Sequence, residues 1–120
     1  MPKPAAKAKD TIDATDTHVV QGVATKMPFS GTLDGNLSPD VLIEHKHAAT
    51  EQSTATNTPS HTPAPDKPPS NQGTISQGSS TVLINWRAAA RNGDPATTCN
   101  DPEDLPVGTV VATSTVLVGG

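Results

Sequence analysis

The sequence predicts an all-β domain of three similar β-hairpins joined by long, Pro-rich connections. Two observations carry that expectation. A strand–turn–strand pattern is written three times along the chain. The stretches between the copies are crowded with proline, which favours extended backbone over helix.

The first copy, "GTLDGNLSPDVLI", spans residues 31–43. The second, "GTISQGSSTVLI", spans 73–84, and the third, "GTVVATSTVLV", spans 108–118. Each opens on Gly-Thr and an aliphatic residue (Leu33, Ile75, Val110) and closes on Val-Leu and a β-branched residue. A serine precedes each closing strand: Ser38, Ser80 and Ser114. The first two copies stay in step beyond the hairpin, since Ala48, Ala49, Ala55 and Thr56 match Ala89, Ala90, Ala96 and Thr97. One hairpin is unstable alone in water, but three can bury their Val-Leu-Ile strands together. Three copies thus point to pseudo-three-fold symmetry in one chain, whose natural partner is a true trimer. The connections, 44–72 with "NTPSHTPAPDKPPSNQ" and 85–107 with "TTCNDPEDLP", are long enough to be functional or disordered.

Composition sets limits. Of 120 residues only 32% are hydrophobic and 2% aromatic, beside 12 Pro and 9 Gly. So little apolar area leaves chain entropy poorly opposed, and a small domain of this kind needs a metal, a disulfide or a partner. A single cysteine excludes an internal disulfide. The net charge of −4 argues against nucleic acid as a partner. No apolar run approaches membrane-spanning length, and the lysine-bearing N-terminus lacks the apolar stretch of a secretory signal.

His18 precedes the first hairpin, His61 lies in the first connection and Cys99 in the second. Imidazole and thiolate suit Zn²⁺, which takes four tetrahedral ligands in structural sites and contributes its binding energy to folding. The spacing matches no Cys-x-x-Cys motif, so incidental surface residues are the competing reading. Met27, His45 and His47 are candidates for a fourth ligand. His45-Lys46-His47 has the look of a metal pair, but its place at a strand end suits exposed polar residues better. A Cys–His nucleophile and base would make an enzyme. No Gly-x-Ser-x-Gly, phosphate loop or paired carboxylates accompany them, so an enzyme is not expected. Asp101, Glu103 and Asp104 read as a solvated acidic loop.

"STVLINWRAAARNGD", residues 80–94, resembles the signature of the Pro-Ala-Ala-Arg (PAAR) repeat family. The four-residue motif is here Ala88-Ala89-Ala90-Arg91, with Ala for the leading Pro and Trp86 for the usual turn glycine. A more degraded copy stands at His47-Ala48-Ala49-Thr50. The flanking "STATNTPSH", "KPPSNQGTI" and "TTCNDPEDLPVGTVVA" also resemble one branch of that family, so the likeness runs over residues 16–120, with 1–15 as an N-terminal segment.

The resemblance implies a small conical all-β protein with a metal-bound apex. Such proteins cap the blunt end of a trimeric β-helical spike in contractile injection machines: type VI secretion systems, extracellular injection particles and phage tails. One tip sits on one trimer, sharpens it and pierces a target envelope. It performs no turnover, and secreted effectors are candidate passengers. One structural zinc per chain is held by three His and one Cys, and His18, His61 and Cys99 match those positions. The remaining His, which stands before Pro-Phe in relatives, is here Met27 before Pro28-Phe29, leaving Met27, His45, His47 or water for the fourth place. The resemblance further implies a protein monomeric by itself, assembled in the bacterial cytoplasm without a signal peptide and then expelled. The chain stops just after the third strand, at Gly119-Gly120, which reads as a bare tip without fused cargo. The competing readings are a Pro/Thr-rich adaptor that folds on a partner, and a zinc-dependent hydrolase.

Overall fold

A computed structural model describes residues 2–120. All regular structure in it is strand, and no helix is present among the described residues. Three pairs form the body: β2 (Thr11–Val20) with β3 (Val23–Gly35), β6 (Thr54–Asn57) with β7 (Gln72–Ile75), and β10 (Pro95–Thr98) with β11 (Leu105–Val111). They close into a six-stranded antiparallel barrel in the order β10-β11-β2-β3-β6-β7. Three short ribbons lie outside it: β4 (Leu42–Ile43) with β5 (Lys46–His47), β8 (Leu83–Ile84) with β9 (Arg87–Ala88), and β12 (Leu117–Val118) with β1 (Lys3–Pro4). The molecule is elongated, 44 × 23 × 22 Å.

The all-β class and the repeat are as expected, but the strands pair differently. Each Gly-Thr strand pairs within the barrel, with Gly31 opposite Asn57, Gly73 opposite Ala55 and Gly108 opposite Ala96. The first two Val-Leu strands pair instead with the residues just C-terminal to them: Leu42 faces His47, and Leu83 faces Ala88. The turns between them are Glu44-His45 (φ 50° and 69°) and Asn85-Trp86 (φ 52° and 70°). Positive φ at both central positions matches the twist of a two-residue hairpin. Neither Glu-His nor Asn-Trp carries the glycine that advertises such a turn, so the ribbons were hidden in the sequence. The expected connections are also not plain loops, because they contain β5, β6, β9 and β10. Only 58–71 and 99–104 remain as irregular segments joining the paired barrel strands.

The third ribbon has no turn, because its second strand is β1. That pairing exposes a third copy of the motif, Pro4-Ala5-Ala6-Lys7, with its proline intact. Ala5, Ala6, Ala48, Ala49, Ala89 and Ala90 are all buried. Their backbones close a ring: Ala6 N–H donates to Ala90 O (2.9 Å), Ala90 N–H to Ala49 O (3.1 Å), and Ala49 N–H to Ala6 O (3.0 Å). Three segments can approach this closely only where side chains are small, and every donor in the ring finds an acceptor. The residue after each Ala pair then turns the chain into the barrel. Its N–H donates to a side chain three residues on: Lys7 to Asp10, Thr50 to Ser53 and Arg91 to Asp94. The expected division between residues 15 and 16 falls inside β2, and the segment before it supplies one third of the alanine ring.

Above the ring, the core narrows in layers. Leu33, Ile75 and Val110, the aliphatic residue of each Gly-Thr copy, are fully buried with Ile12, Ala55 and Ala96. The next layer is a single ring, Phe29. A Cβ at Gly31 would lie 2.9 Å from it and one at Gly73 3.2 Å, so these two glycines make the room that Phe29 fills. Beyond Phe29 the core stops being apolar.

Candidate metal centre

Strict alternation places the first site residues. In β2 the side chains of Ile12, Ala14, Asp16 and His18 share one face. Ile12, Asp16 and His18 are buried, and Ala14 packs against the core. The barrel pairs β11 with β2 only at Thr11, Ile12 and Asp13, so the rest of that edge needs other partners. The segment after β10 provides them. Thr17 N–H donates to Asn100 Oδ1 (2.7 Å), Val19 N–H to Asp101 Oδ2 (2.8 Å), and Asp101 N–H to Thr17 O (2.9 Å). This docking draws Cys99 inward beside β2. The 58–71 segment is braced within itself and tied to the barrel. Asn71 Oδ1 accepts from His61 N–H (3.1 Å), and the Asp66 carboxylate accepts the N–H groups of Gln21 and Gly22 at the β2–β3 turn.

The result is a cluster of Asp16, His18, His61 and Cys99, all buried, with one ligand atom from each lying within 4.8 Å of the others. The His18 and His61 rings have centroids 4.9 Å apart. Asp16 Oδ2 lies 2.9 Å from His61 Nε2 and 3.6 Å from Cys99 Sγ. Its Oδ1 accepts from the Thr98 hydroxyl and, at 3.5 Å, from Asn100 Nδ2. Asp101 Oδ2 approaches His18 Nδ1 to 3.3 Å, but neither ring nitrogen of His18 is in hydrogen-bonding geometry with any group. A buried imidazole with both nitrogens unsatisfied is costly, and a metal at Nε2 would relieve it while Asp101 orients Nδ1. Asp101 itself stays below the usual carboxylate range, chiefly through the Val19 N–H bond and also through His18. Burial, reinforced by the charge of Asp16, pushes the Cys99 thiol up to about 11. The donor set fits a metal ion: two imidazoles, one thiol and one carboxylate at ligand spacing, in a closed setting.

The three residues singled out in the sequence, His18, His61 and Cys99, are thus brought together. His45 and His47 are not: they lie exposed at the β4–β5 ribbon. Met27 is buried beside the site, opposite Asp16 in the β2–β3 register. Asp16 escaped the sequence reading. The alternation Ile12, Ala14, Asp16, His18 was the signal that would have found it.

Residues 65–120 match the family described as PAAR motif. The C-terminal part of the chain thus carries a PAAR motif. The matched segment contains the second and third ribbon strands, the Ala89-Ala90-Arg91 corner and Cys99, whereas Asp16, His18 and His61 precede it. Within the PAAR motif the arginine has a structural task. Arg91 is buried and its guanidinium holds the buried Asp94 carboxylate at 2.9 and 3.2 Å while reaching Gly119 O at 3.2 Å. This fixes the corner from which β10 rises to carry Cys99. No curated protein matched the chain in a sequence search. Among the described residues no helix is long and apolar enough to cross a membrane.

Proposed function

We propose that this PAAR-motif protein is the spike tip of a contractile injection machine. It caps one trimeric β-helical spike with a single chain and is stiffened by one structural zinc held by His18, His61 and Cys99. The observation that carries this reading is the base. Leu42, Leu83 and Leu117, the same position in each repeat, are 56%, 58% and 57% exposed, on the three ribbons that flank the alanine ring. Exposed apolar residues in a three-fold pattern suit a three-fold apolar end face, and burying them supplies the driving force. The Ala pairs are too buried to touch a partner. Their part is to hold the three ribbons together. The barrel strands run from this ring toward the metal cluster, so the docking face and the cluster lie at opposite ends. The work is mechanical: a rigid point that pierces an envelope without turnover, assembled in the cytoplasm, monomeric until docked and then expelled, with effectors as passengers.

Light scattering on the chain co-purified with its spike should give one tip per three spike chains. Trp86, the sole tryptophan and 91% exposed at the base turn, should shift its emission to the blue on docking. Replacing Leu42, Leu83 and Leu117 by Ser should abolish docking while leaving the fold intact. A three-to-three complex, or unaltered docking of that variant, would defeat the model. Separately, Cys99→Ser combined with His61→Ala should leave little metal by elemental analysis.

A further inference from the structure

We propose that Asp16 is the fourth metal ligand, making a charge-neutral Asp-His-His-Cys site selective for a borderline divalent ion such as Zn²⁺ or Co²⁺. This rests on the reading that the cluster binds a metal, and it names the donor that reading left open. Asp16 is fully buried, and among the described residues no lysine or arginine pairs with it; its one ionic neighbour is His61. A buried carboxylate requires a counter-charge. A divalent ion with two neutral imidazoles and one thiolate carries one surplus positive charge. A carboxylate cancels that surplus, whereas Met27 or water would leave it buried.

Geometry agrees. Asp16 and His18 are two residues apart on the inward face of one strand, and Asp16 Oδ2 already lies near both His61 Nε2 and Cys99 Sγ. The hydrogen bonds from Thr98 and Asn100 converge on Oδ1, leaving Oδ2 as the atom that faces the other ligands. His45 and His47 are on a ribbon outside the barrel. One oxygen, two nitrogens and one sulfur suit Zn²⁺ or Co²⁺. A second sulfur, from Met27, would instead favour Cu(I).

The test uses the full chain loaded with Zn²⁺ or Co²⁺. X-ray absorption on the zinc form should show one sulfur at about 2.3 Å and three nitrogen or oxygen ligands at about 2.0–2.1 Å. Two sulfurs would hand the place to Met27 and overturn the proposal. Asp16→Asn should weaken Co²⁺ and Zn²⁺ binding by at least about 100-fold, since even partners of ligands cost about 10–100-fold. Met27→Leu, a swap of similar volume, should leave affinity within about threefold. Unchanged affinity in Asp16→Asn would overturn the proposal in favour of water. Should that variant not fold, thiocyanate added to the wild-type cobalt form decides. An unchanged spectrum supports a closed protein-ligand set, and a shifted one reveals an exchangeable water and overturns it. A wild-type chain that holds no metal at all would instead refute the metal reading itself.

Discussion

Raising the pH should strengthen metal binding far into the alkaline range and at the same time weaken the metal-free fold. Both effects come from Cys99. Its thiol is buried beside Asp16 and pushed up to about 11, with the opposing contacts to Asn71 and Ser70 too weak to restore it. Only the thiolate is a good ligand, so a metal must expel that proton. Below the thiol pKa the expulsion becomes easier by about tenfold per pH unit, so affinity should gain at least about 100-fold between pH 7 and 9 and keep rising beyond. A cysteine at the ordinary value of 9.0 would give a curve that levels there. The metal-free protein behaves in the opposite sense. Its folded thiol holds a proton that an unfolded one releases at the ordinary value of 9.0. The stability this represents is complete below that value and is lost as pH climbs toward 11, on the order of 3 kcal/mol in all. Competition against a chelator of known pH dependence measures the first effect. Denaturant melts of metal-free protein between pH 8 and 11 measure the second. A binding curve that flattens by pH 9, or metal-free stability that does not fall over that range, would refute the reasoning.

Two further outcomes separate core from surface. Phe29→Ala should cost about 3–5 kcal/mol, because the ring is buried and fills the gap left by Gly31 and Gly73; the midpoint of urea unfolding checks this. Replacing both His45 and His47 by Ala should change stability by only about 0.5 kcal/mol and leave metal content intact, since both are exposed and the one hydrogen bond given up is His47 Nδ1 to Ser38 O.

Much of the molecule was legible in the sequence for identifiable reasons. The Gly-Thr-aliphatic triplet repeats because it builds a layer: the aliphatic residue fills it, while the glycine clears space for Phe29 at two of its three positions. His18, His61 and Cys99 were legible because soft ligands are scarce in this chain and each lies in a different repeat. Ribbon pairing was not legible, because two-residue hairpin turns are recognised above all by a glycine at the second central position, and here that position holds His45 and Trp86. The Pro4-Ala5-Ala6-Lys7 copy was missed because its partner strand, β12, lies at the far end of the chain. Asp16 was missed because carboxylates are usually solvated, and only the parity of β2 marks this one as inward.

On the proposed metal reading, the departure from three-fold symmetry at the site follows from coordination chemistry. Three equivalent repeats can offer a metal three or six equivalent ligands, but a tetrahedral ion takes four. One repeat must therefore contribute twice. A β-strand does this most simply with residues two apart, provided it extends past its neighbours far enough to present both. The β2–β3 pair does so: its strands have 10 and 13 residues, against 4 and 4 in β6–β7 and 4 and 7 in β10–β11. The other two repeats replace strand by irregular chain and deliver one donor each to the cluster, His61 and Cys99. The overhanging edge of β2 then lacks strand partners, and the Asn100 and Asp101 side chains that satisfy it are those that fix Cys99 and face His18. At the base the requirement is the reverse. The proposed three-fold partner would reward equivalence, and the alanine ring, the Lys7, Thr50 and Arg91 corners and the Leu42, Leu83 and Leu117 positions keep it.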